Sequence, residues 1–126
     1  MLIGLAGKKQ SGKSTLAMYM CDVLGFQEDS FGAPIRQFVA QLCGYSSGEL
    51  EVYKEQVHPS LGVTPRYMMQ TLGTEWARNT IKDSIWIDCL ANRVRNSKRV
   101  IISDIRFENE ATAIRKMGGT IIHIQR

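Results

Sequence analysis

The run Gly7-Lys8-Lys9-Gln10-Ser11-Gly12-Lys13-Ser14-Thr15 leaves this chain few folds to choose from. It fits GxxxxGK[ST], and its flanks are the ones the pattern needs. Leu2-Ile3-Gly4-Leu5-Ala6 is a short apolar run that reads as a buried strand, and residues 14–24 read as a helix. The glycines let the backbone curl so that successive N–H groups point inward at phosphate oxygens. The helix N-terminus adds partial positive charge, and Lys13 brings a full charge to the outer phosphates. Ser14 stands where a hydroxyl reaches the Mg²⁺ that travels with a nucleoside triphosphate. Gly7, Gly12, Lys13, Ser14 and Thr15 are therefore the candidate nucleotide-binding residues. The plain alternative is a glycine-rich strand-to-helix turn with no ligand, and the fit of both flanks argues against it.

The remaining chain alternates helices with strands. Gly25 stops the first helix, and residues 26–31 hold a short second strand. Pro34 opens a helix with Ile35, Phe38, Val39 and Leu42 at helical spacing, ended by Gly44. Between 45 and 64 the pattern is weakest, with Ser46-Ser47-Gly48 and His58-Pro59 marking turns around a short helix over 49–57. Pro65 starts a stronger helix to about residue 79, with Met68, Met69, Leu72 and Trp76 as its apolar stripe. Arg66, Gln70, Thr74 and Arg78 fall at four-residue steps, which predicts one shared polar face. Asp83 or Ser84 caps a further helix whose buried side is Ile85, Trp86, Cys89, Leu90 and Val94. Val100-Ile101-Ile102-Ser103 is a buried strand ending at Asp104. Residues 108–117 form a helix stopped by Gly118-Gly119, and 120–124 form a last strand. This order predicts an α/β fold of the P-loop NTPase type. It has three layers, a mostly parallel sheet with right-handed crossovers, and helices on both faces.

At 126 residues the chain reads as one domain. Hydrophobic residues at 44% and charged ones at 22% are ordinary for a globular protein. A formal charge of +4 favours anionic ligands such as nucleotides but is too small and too dispersed to point to nucleic acid. Cys21, Cys43 and Cys89 are widely spaced, odd in number and outside any CxxC pair, so they read as free thiols in a reducing compartment. No apolar run reaches membrane-spanning length, and the first is too short for a signal peptide. The expected location is the cytoplasm, the host's if the gene is phage-encoded, with neither membrane nor nucleic acid as partner.

Several further residues are candidates for chemistry. Asp104 is an acid at the carboxyl end of a buried strand, where a phosphate-loop protein completes its Mg²⁺ shell; the alternative is a solvated acid capping the next helix. Arg106 emerges at the same edge, to meet a phosphate or simply solvent. Arginine's planar fork suits phosphate and glutamine suits a base, so the Arg66/Gln70/Thr74/Arg78 face is either a binding face or a solvated one. Trp76 and Trp86 either stack on a base or pack in the core. Arg36 follows Pro34 and meets a substrate phosphate or solvent. His58 and His123 lack a recognisable partner and read as structural or exposed.

Taken together, these segments resemble the bacteriophage deoxynucleoside monophosphate kinases. The resemblance rests on the phosphate loop with its strand, Ser30-Phe31-Gly32-Ala33-Pro34-Ile35-Arg36, Thr64 through Arg78, Asp83-Ser84-Ile85-Trp86, and Ile102 through Ala111. It covers nearly the whole chain, and the 66–78 and 104–111 segments make it specific. It implies transfer of the ATP γ-phosphoryl group to a deoxynucleoside 5′-monophosphate, with Mg²⁺. Lys13, Asp104 and Arg106 would be catalytic, and Ser14 and Asp104 would serve the metal. Arg36, Arg66, Arg78 and Arg106 become candidates for the acceptor phosphate, and Gln70 and Trp86 for its nucleoside. Residues 33–97 or so become a helical acceptor-binding region. Two other readings stay open: a small-molecule kinase of the same architecture, such as one acting on dephospho-coenzyme A, and a nucleotide-binding module without turnover.

Relatives of this architecture continue past the strand at 120–124 into a lid, a helix and a fifth strand. The sequence in hand ends at Arg126, so a truncated chain is expected, the alternative being a compact version that borrows the missing parts from a partner. A lost strand would expose a sheet edge or apolar face and invite oligomerisation or instability.

Overall fold

The structure, a computed structural model, describes residues 1–8 and 12–124. Lys9, Gln10 and Ser11 of the phosphate loop, and Arg126, lie outside the described residues. The described residues form two compact units, one of Met1–Phe31 with Trp86 onward and one of Gly32–Ile85.

The first unit is built on four parallel strands, β1 (Leu2–Gly7), β2 (Gln27–Asp29), β3 (Val100–Ile105) and β4 (Thr120–Ile124), in the order β2-β3-β1-β4. Parallel strands need crossovers, and those crossovers bring helices to both faces of the sheet. Helix α1 (Lys13–Leu24) packs Ala17 and Met20 against Ile3, Leu5, Phe26 and Ile101. On the opposite face lie Leu90 and Ile114 of two helices whose ranges are Ile85–Val94 and Glu108–Lys116. These cover Val100, Ile102 and Ile105. Strand alternation explains the division: Ile3 and Leu5 face one way, while Leu2 and Ala6 face the other. The predicted three-layer α/β fold stands, with all four strands parallel.

The second unit is helical. Helix α2 (Ala33–Cys43) has Pro34 in its first turn and a left-handed Gly44 behind it. Its buried residues are Val39, Ala40 and Cys43, which pack with Leu50 of α3 (Ser47–Tyr53) and with Met68, Met69 and Leu72. Helix α3 starts two residues before the predicted 49 and stops short of 57. Ser46 Oγ accepts from the Glu49 amide at 3.1 Å and the Ser46 amide donates to Glu49 Oε1 at 2.9 Å, a capping box that the turn reading of Ser46-Ser47-Gly48 missed. The segment after α3 is closed by His58, which is buried. Its Nε2 lies 2.9 Å from the Cys43 carbonyl, and its Nδ1 accepts from the amides of Ser60 and Leu61. His58 is thus a structural histidine with partners that no spacing rule reveals.

Helix α4 (Pro65–Gln70) begins at the predicted proline, capped by Thr64 Oγ1, and runs on without a break as a π-helical segment, Thr71–Ile81. The wider turn shows in the Lys82 amide, which donates to the carbonyl of Ala77 five residues back. Arg66, Gln70, Thr74 and Arg78, expected on one polar face, are all exposed. Trp76 keeps to the side of Met68 and Leu72 but is 51% exposed. Helix α5 (Ile85–Val94) and α6 (Glu108–Lys116) complete the chain. Of the apolar side predicted for α5, Leu90 is fully buried, whereas Trp86 and Cys89 are half-buried.

Candidate active site

The phosphate loop joins β1 to α1, and the described part of it has the backbone such a loop requires. Gly12 sits at φ 101°, where a side chain costs about 1–2 kcal/mol. Its carbonyl accepts from the Leu16 amide at 3.0 Å, which closes the first turn of α1. Among the described residues no side chain caps this helix, and its first turn holds no acid. The first amides of a helix have no intrahelical acceptor, so those of α1 are available to an anion, with Lys13 half-exposed beside them and Ser14 and Thr15 exposed.

The second half of the site comes from β3. β1 and β3 are parallel neighbours with Ala6 paired to Ile105, so Gly7 and residues 104–106 emerge at the same edge. That edge lies at the carboxyl ends of the strands, where α/β sheets bind ligands.

A β-bulge aims Asp104. Gly4 pairs with Ile102, but the next registered pair is Ala6 with Ile105, so Ser103 and Asp104 together stand opposite Leu5. Simple alternation from Val100 and Ile102 would send the side chain at 104 into the same apolar face. The extra residue instead returns Ile105 to that face, where it is 4% exposed, and leaves Asp104 half-exposed. Asp104 Oδ1 accepts from the amide of Phe31 at 3.2 Å. The strand also runs one residue past the predicted end at Asp104, through Ile105.

Arg106 follows directly and is exposed. Its backbone is held by Glu110, an acid only 7% exposed, whose Oε1 accepts from the amides of Arg106 at 2.9 Å and Phe107 at 3.1 Å. Sequence reasoning gave Glu110 no role. A glutamate three residues after a helix start was the available signal, obscured because Phe107 occupies the place usually held by Ser or Thr.

The structure therefore brings Gly7, Gly12, Lys13, Ser14, Thr15, Asp104 and Arg106 to one edge of one sheet. Arg36, Arg66, Gln70 and Arg78 belong to the helical unit, and each is exposed. Arg66 pairs with Glu55, and both side chains are more than half exposed. The same unit has an open apolar groove of about 510 Å³ lined by Phe38, Leu42, Met68, Leu72, Glu75 and Trp76, among others. Phe38 and Leu42, expected on the buried side of α2, are about half exposed in it.

A one-carboxylate, one-hydroxyl set fits a nucleotide-borne Mg²⁺, which keeps waters and takes phosphate oxygens as its other ligands. Among the described residues no three His, Cys, Asp or Glu side chains cluster as a metal site.

The strand, the helix that follows it and an acid on the adjacent parallel strand define a P-loop kinase-like α/β fold. Comparison with known proteins narrows the class. A family model for deoxynucleotide monophosphate kinase matches residues 49–126. A protein of Acanthamoeba polyphaga mimivirus, which carries the provisional name deoxynucleotide monophosphate kinase, is 36% identical over 143 aligned residues. That alignment spans 99% of this chain and 74% of the mimivirus protein. The deoxynucleoside-5′-monophosphate kinase of Escherichia phage T5 is 34% identical over 65 residues, 50% of this chain and 26% of that protein. The chain belongs to the deoxynucleotide monophosphate kinase family.

Proposed function

We propose that this protein transfers the γ-phosphoryl group of ATP to the 5′-phosphate of a deoxynucleoside monophosphate. The observation that carries the proposal is the meeting of Gly7, the α1 N-terminus and the bulge-aimed Asp104 at one sheet edge, in a chain of this family. Family membership favours a deoxynucleotide acceptor over dephospho-coenzyme A.

In this reading the α1 amides and Lys13 hold the ATP phosphates, and Ser14 and Asp104 hold Mg²⁺ directly or through water. Bound there, the metal ion draws charge from the phosphate oxygens and fixes their orientation. The acceptor phosphate oxygen is already anionic, so the reaction needs no dedicated base. That oxygen bonds to the γ-phosphorus as the bond from the γ-phosphorus to the β,γ-bridging oxygen breaks, and the electron pair leaves with ADP. Two anions must be pressed together, so neutralisation and alignment do most of the work. Arg106 supplies positive charge at the sheet edge, and Arg36, Arg66 and Arg78 are the candidates for gripping the acceptor phosphate. The pairing of Arg66 with Glu55 is no obstacle, because an exposed pair of this kind is worth only about 0.2–1 kcal/mol. Gln70 and half-buried Trp86 are the candidates for the acceptor nucleoside. No described helix is long and apolar enough to cross a membrane, and the proposed setting is the cytoplasm.

Chromatographic conversion assays with Mg·ATP and each common deoxynucleoside or ribonucleoside monophosphate test the proposal. Diphosphate product that vanishes in Lys13→Ala is expected. Folded, ATP-binding protein that yields no diphosphate with any acceptor would overturn it.

A further inference from the structure

Asp29 and Arg93 form a cluster at the end of β2 that the reaction scheme leaves unused. Arg93 Nε donates to Asp29 Oδ2 at 3.1 Å and Nη2 donates to Asp29 Oδ1 at 3.0 Å, a two-pronged grip of the carboxylate. Nη2 also reaches the Ser30 carbonyl at 2.9 Å, and Nη1 donates to Cys89 Sγ at 3.0 Å, one helical turn back on α5. Asp29 Oδ1 in turn accepts from the Ser30 amide at 2.7 Å. Carboxylate and carbonyl on either side of one peptide are thus held by a single guanidinium.

The next amide along is that of Phe31, which donates to Asp104 Oδ1. The register explains the match. Asp29 pairs with Ile102, so Phe31 comes level with Asp104, and the Asp104 carboxylate takes the donor where the backbone ladder of β2 ends. On its other side the Phe31 ring is 4% exposed in the apolar core. The direction of the Phe31 N–H is therefore set at both ends, by packing beyond it and by Arg93 before it.

We infer that Arg93 and Asp29 are positioning residues for the reaction, holding the Phe31 amide so that it orients the Asp104 carboxylate toward the nucleotide-borne metal. The inference rests on the assignment of Asp104 to that metal. Burial works against the charge on Arg93, yet its hydrogen bonds and attraction to Asp29, with a contribution from Cys89, hold its pKa above the ordinary arginine value. Arg93 is 30% exposed and Asp29 22%, so the pair contributes little through bare attraction, and its effect is one of direction. Lysine at 93 keeps the charge but loses the planar fork that reaches Asp29 and Ser30 together.

The test uses the full chain with ATP and Mn²⁺ as a spectroscopic stand-in for Mg²⁺. Free Mn²⁺ is read by electron paramagnetic resonance in wild type, Arg93→Lys, Asp29→Asn, Asp104→Asn and the Arg93→Lys/Asp104→Asn double variant. Metal-free ATP binding and the exchange protection of the Phe31 amide are measured alongside. Outer partners of this kind typically change metal affinity by about 10–100-fold. Arg93→Lys and Asp29→Asn are each expected to weaken Mn²⁺ binding to the ATP complex by about 10-fold. Both should deprotect the Phe31 amide and leave metal-free ATP affinity unchanged, and Arg93→Lys should add nothing in the Asp104→Asn background. If Asp104→Asn weakens Mn²⁺ binding but the Arg93 and Asp29 variants do not, the positioning role is overturned while the site reading survives. If Asp104→Asn itself leaves Mn²⁺ binding unchanged, the assignment of Asp104 fails, and this inference with it. Multiplicative effects of Arg93→Lys and Asp104→Asn would show that Arg93 acts by another route.

Discussion

Replacing Gly4 by alanine should destabilise the protein, against the usual sign for a glycine in a strand. In a strand interior the exchange normally gains about 0.5–1 kcal/mol, because glycine loses more backbone freedom on folding. Here the new methyl has no room. A Cβ on Gly4 would overlap Ile105 Cδ1 and come within 2.9 Å of Ile121 Cδ1. Both atoms are the ends of side chains that can rotate, but they sit in a packed face beside Ile102 and Ile114. Overpacking of this kind costs about 1–3 kcal/mol. Setting the middle of the gain against the middle of the cost leaves a net loss of about 1 kcal/mol, with about 2.5 kcal/mol as the upper end. The assay is urea denaturation followed by circular dichroism. A partner substitution isolates the cause, since Ile105→Val deletes the overlapping Cδ1. Alone, that change should cost about 0.5–1.5 kcal/mol. In the Gly4→Ala background it should cost nothing or restore stability, a coupling of about 1 kcal/mol or more. A neutral or stabilised Gly4→Ala variant, or two effects that simply add, would refute the reasoning. The stake is larger than one methyl. Ile105 reaches this face only because of the bulge at residues 103–104, so the room that Gly4 leaves to the Ile105 side chain is part of what aims Asp104.

Glu110→Ala should cost about 2–4 kcal/mol in the same denaturation assay, because the Arg106 and Phe107 amides lose their shared acceptor. Glu110→Gln keeps a carbonyl oxygen in place and should cost less than about 1.5 kcal/mol; equal losses for the two would place the effect in packing. Burial pushes the Cys43 thiol above its ordinary pKa of 9.0. As pH rises past that value the unfolded chain ionises first and binds fewer protons, so stability falls until the raised folded value is passed. The slope is at most about 1.4 kcal/mol per pH unit. Urea unfolding at about pH 8 and about pH 10 should therefore lose less stability in Cys43→Ala than in wild type, and equal losses would show that Cys43 ionises alike in both states.

The parts of the fold legible in the sequence are those whose cause is local. Apolar runs mark β1 and β3, left-handed glycines end α1 and α2, and prolines open α2 and α4, because each depends on a few neighbouring residues. Where the cause lies further off, the reading drifted. The start of α3 shifted because a capping box between Ser46 and Glu49 opens the helix where turn residues had been read. Phe38, Leu42 and Trp76 were placed inside by periodicity and line an open groove instead, since periodicity finds an apolar side without saying what covers it.

For the candidate site, the half proposed to bind the nucleotide is legible in the sequence itself, since glycine, lysine and a hydroxyl stand at fixed spacing on a strand-to-helix turn. Asp104 was identifiable as an acid at a strand end, but its direction was not. That depends on one extra residue in β3 relative to β1, on the room left by Gly4, and on the Phe31 amide 73 residues away in the chain. Arg93 and Asp29, separated by 64 residues, had no motif to announce them. A motif records what neighbours along the chain can do together. The aim of a carboxylate is decided by strand register and packing, which exist only once the sheet has formed.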